Sequence, residues 1–185
     1  MSDLQKLRKI YQLKSVYRYN SVGNRKESSA EHTWSALVLA NYFLDKIKLK
    51  LNHQKVYELL LYHDLLEIET GDIGLHKLEE RKDKKEKEQK ALPLLLKQLP
   101  TEFGEKFRQL FQEYEERKTP EAKFVKAIDY LDAELHELDY KKDWIGWTEK
   151  FLRQEKEKVM REFPELNAAF EEVLQHAREH GYFEQ

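Results

Sequence analysis

Apolar side chains recur with a helical period along most of the chain, and this pattern predicts an all-α fold. Stretches that alternate in the manner of strands are scarce, and only 6 glycines and 4 prolines interrupt the sequence. The pattern begins with an amphipathic helix over 4–13, and an irregular loop follows over 14–27. We expect one domain over 1–185, a single compact helical bundle with its motif-bearing core at about 16–140 and packing helices at about 148–181.

The start of the second helix carries a capping signal. Ser28 and Glu31 have the capping-box spacing, in which each side chain accepts a hydrogen bond from the backbone N–H of the other residue. A helix therefore begins at this point, and His32 lies in its first turn. The body of this helix, over 34–47, is apolar on nearly every side, which predicts a helix buried at the centre of the bundle.

Two further helices carry polar residues beside apolar runs. One runs from about 52 to 71, ends at a glycine and includes the pair His63 and Asp64. Another opens with Thr119 as its N-cap and places Asp129 on or beside its apolar stripe. The remaining helical patterns cover 91–99, 102–117, 148–161 and 164–180.

Charge and composition exclude several classes of function. The 33 basic and 35 acidic side chains nearly balance, so no overall field attracts a nucleic-acid polymer or an anionic membrane. The charged run 77–90 is interpreted as a solvated helix or mobile loop without a binding role. No stretch is apolar enough to cross a membrane. The chain has no cysteine, which leaves any metal to imidazole and carboxylate ligands and fits a cytoplasmic protein.

The run HDLLEIETGDI holds the strongest chemical signal. On a helix, Glu67 lies one turn beyond His63 and three residues beyond Asp64, so the three side chains can enter one opening. His32 and Asp129, on two other helices, complete a set of two imidazoles and two carboxylates. Such a set suits one divalent transition-metal ion, such as Mn, Fe, Co, Ni or Zn, better than it suits Ca.

Each of these residues also has an interpretation without a metal. His32 is equally consistent with a buried histidine that makes one satisfying hydrogen bond, and Asp64 and Glu67 are consistent with surface acids. Asp129 can pair with a lysine one turn earlier, and Asp72 can be a turn or cap residue after the glycine. We place outside the site the remaining histidines and an aromatic cluster, interpreted as solvated side chains and as core or subunit contacts: His53, His76, His136, His176, His180, Trp144, Trp147 and Phe151.

Taken together, the motifs resemble a known family. AEH at 30–32, HDLLE at 63–67, GDI at 71–73 and EAKFVKAID at 121–129 give the order H…HD…D, which resembles the HD-domain superfamily of metal-dependent phosphohydrolases. The longer pattern of RKESSAEH, HDLLEIETGDI and YEERKTPEAKFVKAID resembles the subgroup of bacterial 5′-deoxynucleotidases and their eukaryotic homologues. The resemblance covers about 16–140.

This resemblance implies a core of five or more helices with one divalent ion, usually Mn, Co or a similar metal. It implies the hydrolysis of deoxyribonucleoside 5′-monophosphates to nucleoside and phosphate, and it favours a homodimer. By position in the motifs, it assigns the metal to His32, His63, Asp64 and Asp129, catalysis to Glu67 and Asp72, and phosphate binding to Arg18.

The implied mechanism agrees with the chemistry of these residue types. The ion polarises a phosphate oxygen and lowers the pKa of a bound water toward about 7. Glu67 orients or deprotonates that water, and Arg18 offsets charge on the phosphoryl oxygens. The sequence departs from the family at Tyr19, where a tryptophan often follows the arginine, and the segment to His32 is one residue shorter. Tyr19 is expected beside the sugar, and both differences leave the sugar preference open.

Several other functions remain open at this point. An HD hydrolase of this kind can act on a diphosphate, a cyclic nucleotide or another phosphate ester. A noncatalytic metal-binding module is a further alternative, but binding a metal alone requires neither Glu67 nor Arg18. An HD oxygenase would need extra histidine ligands, and the segment between Asp64 and Asp129 contains only His76.

Overall fold

Helices and one β-hairpin make up the computed structural model, which describes residues 2–184. The all-α fold class is confirmed, and the two end residues of the predicted domain, Met1 and Gln185, lie outside the described range. Two 3₁₀ segments, Arg8–Ser15 and Lys141–Trp144, and one π-helical segment, Arg153–Glu157, connect the α-helices. The α-helices are α1 (Asp3–Leu7), α2 (Ser29–Leu44), α3 (His53–Tyr62), α4 (Glu67–Thr70), α5 (Leu78–Lys82), α6 (Lys84–Gln98), α7 (Thr101–Glu116), α8 (Pro120–Glu137), α9 (Glu149–Leu152), α10 (Lys158–Met160) and α11 (Pro164–Glu179).

The predicted loop over 14–27 is wrong, because most of this segment forms a hairpin. Strands β1 (Tyr17–Val22) and β2 (Arg25–Ser28) pair antiparallel. Gly23 adopts a positive φ of 59° in the two-residue turn between them, a conformation that such hairpin turns require and that glycine adopts without steric cost. The hairpin leads directly into α2.

The capping box at the start of α2 is confirmed. The Ser28 hydroxyl accepts a hydrogen bond from the Glu31 backbone N–H at 3.3 Å, and the Glu31 carboxylate accepts one from the Ser28 N–H at 2.9 Å. The guanidinium of Arg25 also donates to Glu31, at 2.8 Å. The hydrogen bonds from Arg25 and Ser28 lower the pKa of Glu31 to about 2. The end of α2 that carries His32 is therefore fixed by local hydrogen bonds.

The expectation that α2 is buried on all sides is wrong. Trp34, Val38 and Tyr42 follow one another at intervals of four residues, and their exposed fractions are 69%, 54% and 56%. The opposite side of the helix is buried, with Ala36 and Ala40 fully enclosed. The apolar residues of α2 therefore pack into the core on one side of the helix and form a continuous exposed stripe on the other side.

The helix predicted over 52–71 is interrupted in the middle. It ends as α3 at Tyr62 and resumes as α4 at Glu67, and the turn between them, residues 63–66, is named the HD turn here. The His63 Nδ1–H donates to the Leu60 carbonyl at 2.6 Å, which is the acceptor that the next helical N–H would use. The run ends at Gly71, as predicted, with a φ of 71°.

Helix α8 lies at the centre of the core. It contacts α2, α3, α7 and α11, and its inner face contributes Phe124, Val125 and Ile128, all fully buried. It begins as predicted, with the Thr119 hydroxyl accepting from the Ala122 N–H. None of the helices within 2–184 is long and apolar enough to span a membrane.

The helices predicted over 4–13 and 148–161 are both less regular than expected. The first predicted helix, over 4–13, is only a short α-helix, α1, that continues as the 3₁₀ segment. The helix predicted over 148–161 contains the π-helical segment between α9 and α10. The π-helical segment carries Lys156, which lines the pocket described below.

Candidate metal centre and substrate pocket

Four predicted ligands converge between α2, the HD turn and α8. One ligand atom each from His32, His63 and Asp129 lies within 4.8 Å of the others. The His32 Nε2 is 3.1 Å from the Asp129 Oδ1. Asp64 places its Oδ2 at 3.2 Å from the His63 Nε2 and at 3.9 Å from the His32 Nε2. Two nitrogens and two carboxylates thus meet at one point, although they come from three separate elements.

The donor atoms at this point fit a divalent cation. The Nε2 of His63 and the Oδ2 of Asp64 are buried and make no hydrogen bond within the described part of the chain. Leaving such atoms without a partner costs about 1–3 kcal/mol each. A cation bound at the four residues would satisfy both atoms, and mixed imidazole and carboxylate ligation is typical of transition metals.

Hydrogen bonds from behind orient the two imidazoles. The His32 Nδ1–H donates to the Asp132 Oδ2 at 2.9 Å, and the His63 Nδ1–H donates to the Leu60 carbonyl. Each ring therefore turns its Nε2 toward the site, as metal-binding histidines do. Burial and the charge of Arg18 lower the pKa of His32, but hydrogen bonds with nearby carboxylates outweigh them and raise it to about 10.

The carboxylate of Asp129 is oriented by two donors on one oxygen. Its Oδ2 accepts hydrogen bonds from the Tyr114 hydroxyl and the Lys126 ammonium, both at 2.8 Å, which leaves Oδ1 toward His32. From the sequence, pairing of Asp129 with a lysine was an alternative to metal binding. In the structure the lysine uses only Oδ2, so the pair is compatible with metal binding through Oδ1.

Sequence reasoning missed Asp132 and Tyr114. The only signal for Asp132 was its position three residues after Asp129, on the same helical face.

Glu67, the first residue of α4, and Asp72, which lies two residues beyond the end of α4, line the same pocket. The Glu67 Oε2 accepts a hydrogen bond from the Ser29 hydroxyl at 2.6 Å. Burial, together with the charges of Asp64 and Asp72, raises the pKa of Glu67 well above its usual value. A cation at the neighbouring Asp64 would oppose this effect, because it offsets the repulsion between the carboxylates.

Arg18 extends from β1 to the edge of the ligand set. Its Nη1 lies 3.5 Å from the Asp64 Oδ2, its Nε lies 3.3 Å from the Glu27 Oε2, and its side chain is only 11% exposed. Burial lowers the pKa of Arg18, but the charges of Asp64 and of other acids outweigh this and raise it above its usual value. The pocket therefore holds a permanent cation next to the candidate metal ligands.

One wall of the pocket is aromatic. The rings of Tyr19 and His76 are 4.3 Å apart between centroids, and those of His76 and Trp147 are 5.7 Å apart. All three residues line the pocket. The His76 ring packs over Gly74, where an added Cβ would lie 2.8 Å from the His76 Cε1. Trp144 and Trp147 are buried in the core, as expected, and Trp147 also lines the pocket. The interpretation of His76 as a solvated side chain outside the site is wrong, because it lines the pocket and packs against Tyr19 and Trp147.

The charged run over 77–90 also needs correction. It forms α5 and the start of α6, which confirms a largely solvated helix. However, Arg81, Lys84 and Glu88 line the pocket, so the run does take part in it. The sequence did not indicate that part of this run lines the pocket, because a solvated helix and the rim of a polar pocket have the same composition.

Comparison with known proteins identifies the family. A family profile described as HD domain matches residues 10–167, and the chain belongs to this family. The human 5′-deoxynucleotidase HDDC2 is 33% identical over 143 residues, which cover 75% of this chain and 68% of that protein. The 5′-deoxynucleotidase hdd1 of Schizosaccharomyces pombe is 32% identical over 132 residues, or 69% of this chain and 64% of that protein.

Solved structures share the fold. A predicted metal-dependent phosphohydrolase from Magnetospirillum magnetotacticum MS-1 superposes with a TM-score of 0.87 at 28% identity, over 98% of this chain and 96% of that one. An HD-domain phosphohydrolase from Listeria innocua superposes with a TM-score of 0.69 at 21% identity, over 96% and 90%. The resemblance inferred from the motifs is therefore confirmed.

Proposed function

We propose that this protein is a metal-dependent 5′-nucleotidase that hydrolyses (deoxy)ribonucleoside 5′-monophosphates to nucleoside and phosphate. The observation that carries the proposal is the convergence of His32, His63 and Asp129, with Asp64 beside the two histidines, next to Glu67 and Arg18. The 5′-deoxynucleotidases among its relatives support the substrate class. We assign the metal to His32, His63, Asp64 and Asp129.

When bound, a divalent ion of the Mn or Co type supplies a Lewis acid and a water molecule of lowered pKa. Glu67 would orient the attacking water and would accept its proton at the carboxylate as the new bond to phosphorus forms. Arg18 binds two phosphoryl oxygens with its planar guanidinium and offsets their charge. Asp72 follows α4 and lines the same pocket as Glu67, and we assign it to the leaving 5′-oxygen, which needs a proton when its bond to phosphorus breaks.

The ring of Tyr19 follows Arg18 on β1 and forms part of the pocket wall. If Arg18 binds the phosphate, the adjacent ring lies beside the sugar, where it would exclude a 2′-hydroxyl. Tyr19 is therefore our proposed sugar-selecting residue, and deoxyribonucleotides are the expected preference.

We also propose that the chain forms one HD domain and a homodimer. The partner surface would be the exposed apolar stripe of α2, residues Trp34, Val38 and Tyr42. A cytoplasmic location is proposed for the activity, since nucleoside monophosphates are intracellular metabolites.

A phosphate-release screen tests the function. We expect chelated protein to be inactive on nucleoside 5′-monophosphates, and Mn or Co to restore activity, because the attacking water depends on the ion. The screen should compare each ribonucleotide with its deoxyribonucleotide, in the native protein and in Tyr19→Ala. Full activity in chelated protein would overturn the metal-dependent mechanism, and an unchanged sugar ratio in the variant would remove Tyr19 from its role.

A further inference from the structure

Strand β1 is irregular at the residues that the pocket uses. It pairs with β2 at Tyr17 and again at Ser21, and these positions are four residues apart on β1 but only two apart on β2. The residues between them, Arg18, Tyr19 and Asn20, therefore form a bulge in the ladder. A bulge leaves residues unpaired and changes the direction of their side chains, often beside active sites. Strand pairing alone therefore does not fix the direction of Arg18 or Tyr19.

The hairpin is held to the bundle by polar contacts. Across residues 17–28, all of which the structure describes, the buried side chains belong to Asn20, Ser21, Glu27 and Ser28, and no apolar side chain is buried. Apolar packing is not directional, whereas hydrogen bonds fix distances and angles. The hydrogen bonds that the hairpin makes with the bundle therefore decide its orientation.

Four side chains from one short stretch hold the hairpin, and they are named the anchor residues here: His136, Glu137, Tyr140 and Asp143. The buried carboxylate of Asp143 accepts from the Ser21 N–H at 2.7 Å and from the Ser21 hydroxyl at 2.9 Å. The His136 Nε2–H donates to the Ser21 carbonyl at 2.7 Å. Side chains of the bundle therefore bind both backbone polar groups of Ser21, as a neighbouring strand would.

Further contacts extend from the anchor residues to Tyr19. The Asn20 amide, directly after Tyr19, donates to the Glu137 Oε1 at 2.8 Å. The Lys26 ammonium lies 3.5 Å from the Asp143 Oδ1. The same ammonium donates to the Tyr19 carbonyl and lies 4.6 Å from the centroid of the Tyr19 ring. Release of the anchor residues would therefore free the whole bulge.

The anchor residues are connected to the candidate metal position through α8. His136 lies in the last turn of this helix, about two turns beyond Asp129, and Asp143 lies in the 3₁₀ segment that follows. On the hairpin side, the Arg18 Nη1 lies 3.5 Å from the Asp64 Oδ2. One helix therefore sets the position of the hairpin relative to the candidate ligands.

We propose that Asp143 is a positioning residue, which together with the other anchor residues holds the bulge so that Arg18 meets the phosphate and Tyr19 lies beside the sugar. The inference rests on the proposed function and adds a determinant of substrate affinity. Asp143 is not among the residues that line the pocket, so it acts through the hairpin. A role in stability alone would leave phosphate binding normal in the folded protein, whereas positioning requires that binding weakens.

The test measures binding and turnover in metal-loaded protein. Asp143→Ala removes both hydrogen bonds to Ser21. It should weaken the binding of inorganic phosphate, measured by calorimetry, by about 10- to 100-fold, the range set by one lost hydrogen bond between Arg18 and a phosphate oxygen. The KM for a deoxyribonucleoside 5′-monophosphate should rise accordingly, because this bond already forms in the ground state. The preference for deoxyribonucleotides should also fall, because Tyr19 moves with the bulge.

One conservative variant and one control accompany Asp143→Ala. In Asp143→Asn, the carboxamide oxygen accepts from the Ser21 N–H and the amide nitrogen donates to the Ser21 hydroxyl, so phosphate affinity should stay close to native. The lost pairing with the half-exposed Lys26 contributes little. Thr119→Ala removes the N-cap at the other end of α8, so it should lower stability without weakening phosphate binding.

A double variant shows whether the effect passes through Arg18. In protein that already carries Arg18→Ala, Asp143→Ala should weaken phosphate binding no further, because the cation that it positions is absent. An equal loss in both backgrounds would overturn the positioning role. If circular dichroism shows that Asp143→Ala does not fold, Asn20→Ala, which removes the contact with Glu137, decides the matter by the same measurements.

The outcomes separate this inference from the proposed function. Native phosphate affinity in folded Asp143→Ala overturns the positioning role and leaves the nucleotidase intact. Binding in Asp143→Asn as weak as in Asp143→Ala also overturns it, since the hydrogen bonds to Ser21 would then not be the cause. No hydrolysis of any nucleoside monophosphate overturns the nucleotidase. Phosphate binding needs no turnover and then still decides the inference, and a native protein that binds no phosphate would contradict it.

Discussion

At the scale of single residues, the site depends on which atom of each side chain is left free. The Nδ1 atoms of His32 and His63 and the Oδ2 of Asp129 each make hydrogen bonds with neighbours, so the opposite atoms point to the candidate metal position. Glu67 differs from these proposed ligands, because its one hydrogen bond comes from the Ser29 hydroxyl at the start of α2. A carboxylate held by a hydroxyl, as Glu67 is, can bind a water molecule without serving as a metal ligand.

The separation of these roles predicts the effect of Glu67→Gln. The variant should retain the metal and the fold but lose turnover by about 10² to 10⁴, the range typical for a positioned acid or base. Elemental analysis measures the bound metal, and phosphate release from a deoxyribonucleotide measures turnover.

Glu69→Gln is the matched control on the same short helix. Glu69 pairs with Lys9 and is not among the residues that line the pocket, so this variant should remain fully active. Full activity in Glu67→Gln with normal metal content would show that Glu67 has no catalytic role. Loss of metal in the same variant would instead show that it is a ligand.

The sequence predicted the residues that converge at the candidate metal site better than the residues around them. Histidine and aspartate at motif spacing are recognisable because few other arrangements place those types together. Asp132, Glu134 and Glu137 have no such signal, since acids on a charged helix usually lie in solvent. Only the packing of the hairpin and the π-helical segment against α8 shows that these three are buried.

At the scale of elements, the main surprises have local physical causes. The hairpin was missed because β1 places polar residues such as Arg18, Asn20 and Ser21 toward the protein, so its burial does not follow an apolar alternation. The break at the HD turn was missed because no glycine or proline marks it. At this turn the His63 side chain donates to a backbone carbonyl and so competes with the backbone N–H that would continue the helix. Sequence periodicity does not reveal such a competition.

The N-cap of α2 gives a prediction at this scale. Ser28→Ala removes the hydroxyl that accepts from the Glu31 N–H, and it should lower the free energy of unfolding by ~1 kcal/mol. Urea unfolding measures the effect as a lower midpoint at an unchanged slope. Ser2→Ala is the matched control, because Ser2 forms the same capping box on α1, which has no buried residues. A loss in Ser2→Ala as large as that in Ser28→Ala would contradict this reasoning.

At the scale of the whole molecule, α8 links the core to the site. It contacts α2, α3, α7, α10 and α11, and the same helix carries Asp129, Glu134 and Glu137, which line the pocket. The bundle and the apolar face of α8 were predictable, because apolar period and capping residues are local properties, but the sequence pattern placed α2 rather than α8 at the centre. The exposure of one face of α2 was not predictable, since an apolar stripe has the same sequence pattern whether it faces the core or the solvent.

That stripe gives the last prediction, that two copies of the chain associate through α2. Trp34, Val38 and Tyr42 span two turns of one helical face, and Tyr17, which is 59% exposed, lies on the hairpin that leads into this helix. A single helical stripe can pack against its own copy about a two-fold axis, since such an interface needs only one self-complementary patch. Light scattering after gel filtration should give twice the chain mass for the native protein and the single-chain mass for Trp34→Glu. Ile145→Glu, at an isolated residue that is 71% exposed, should leave the mass doubled. A native protein that remains monomeric at micromolar concentrations would sink the idea, and so would a Trp34→Glu variant that still forms the dimer.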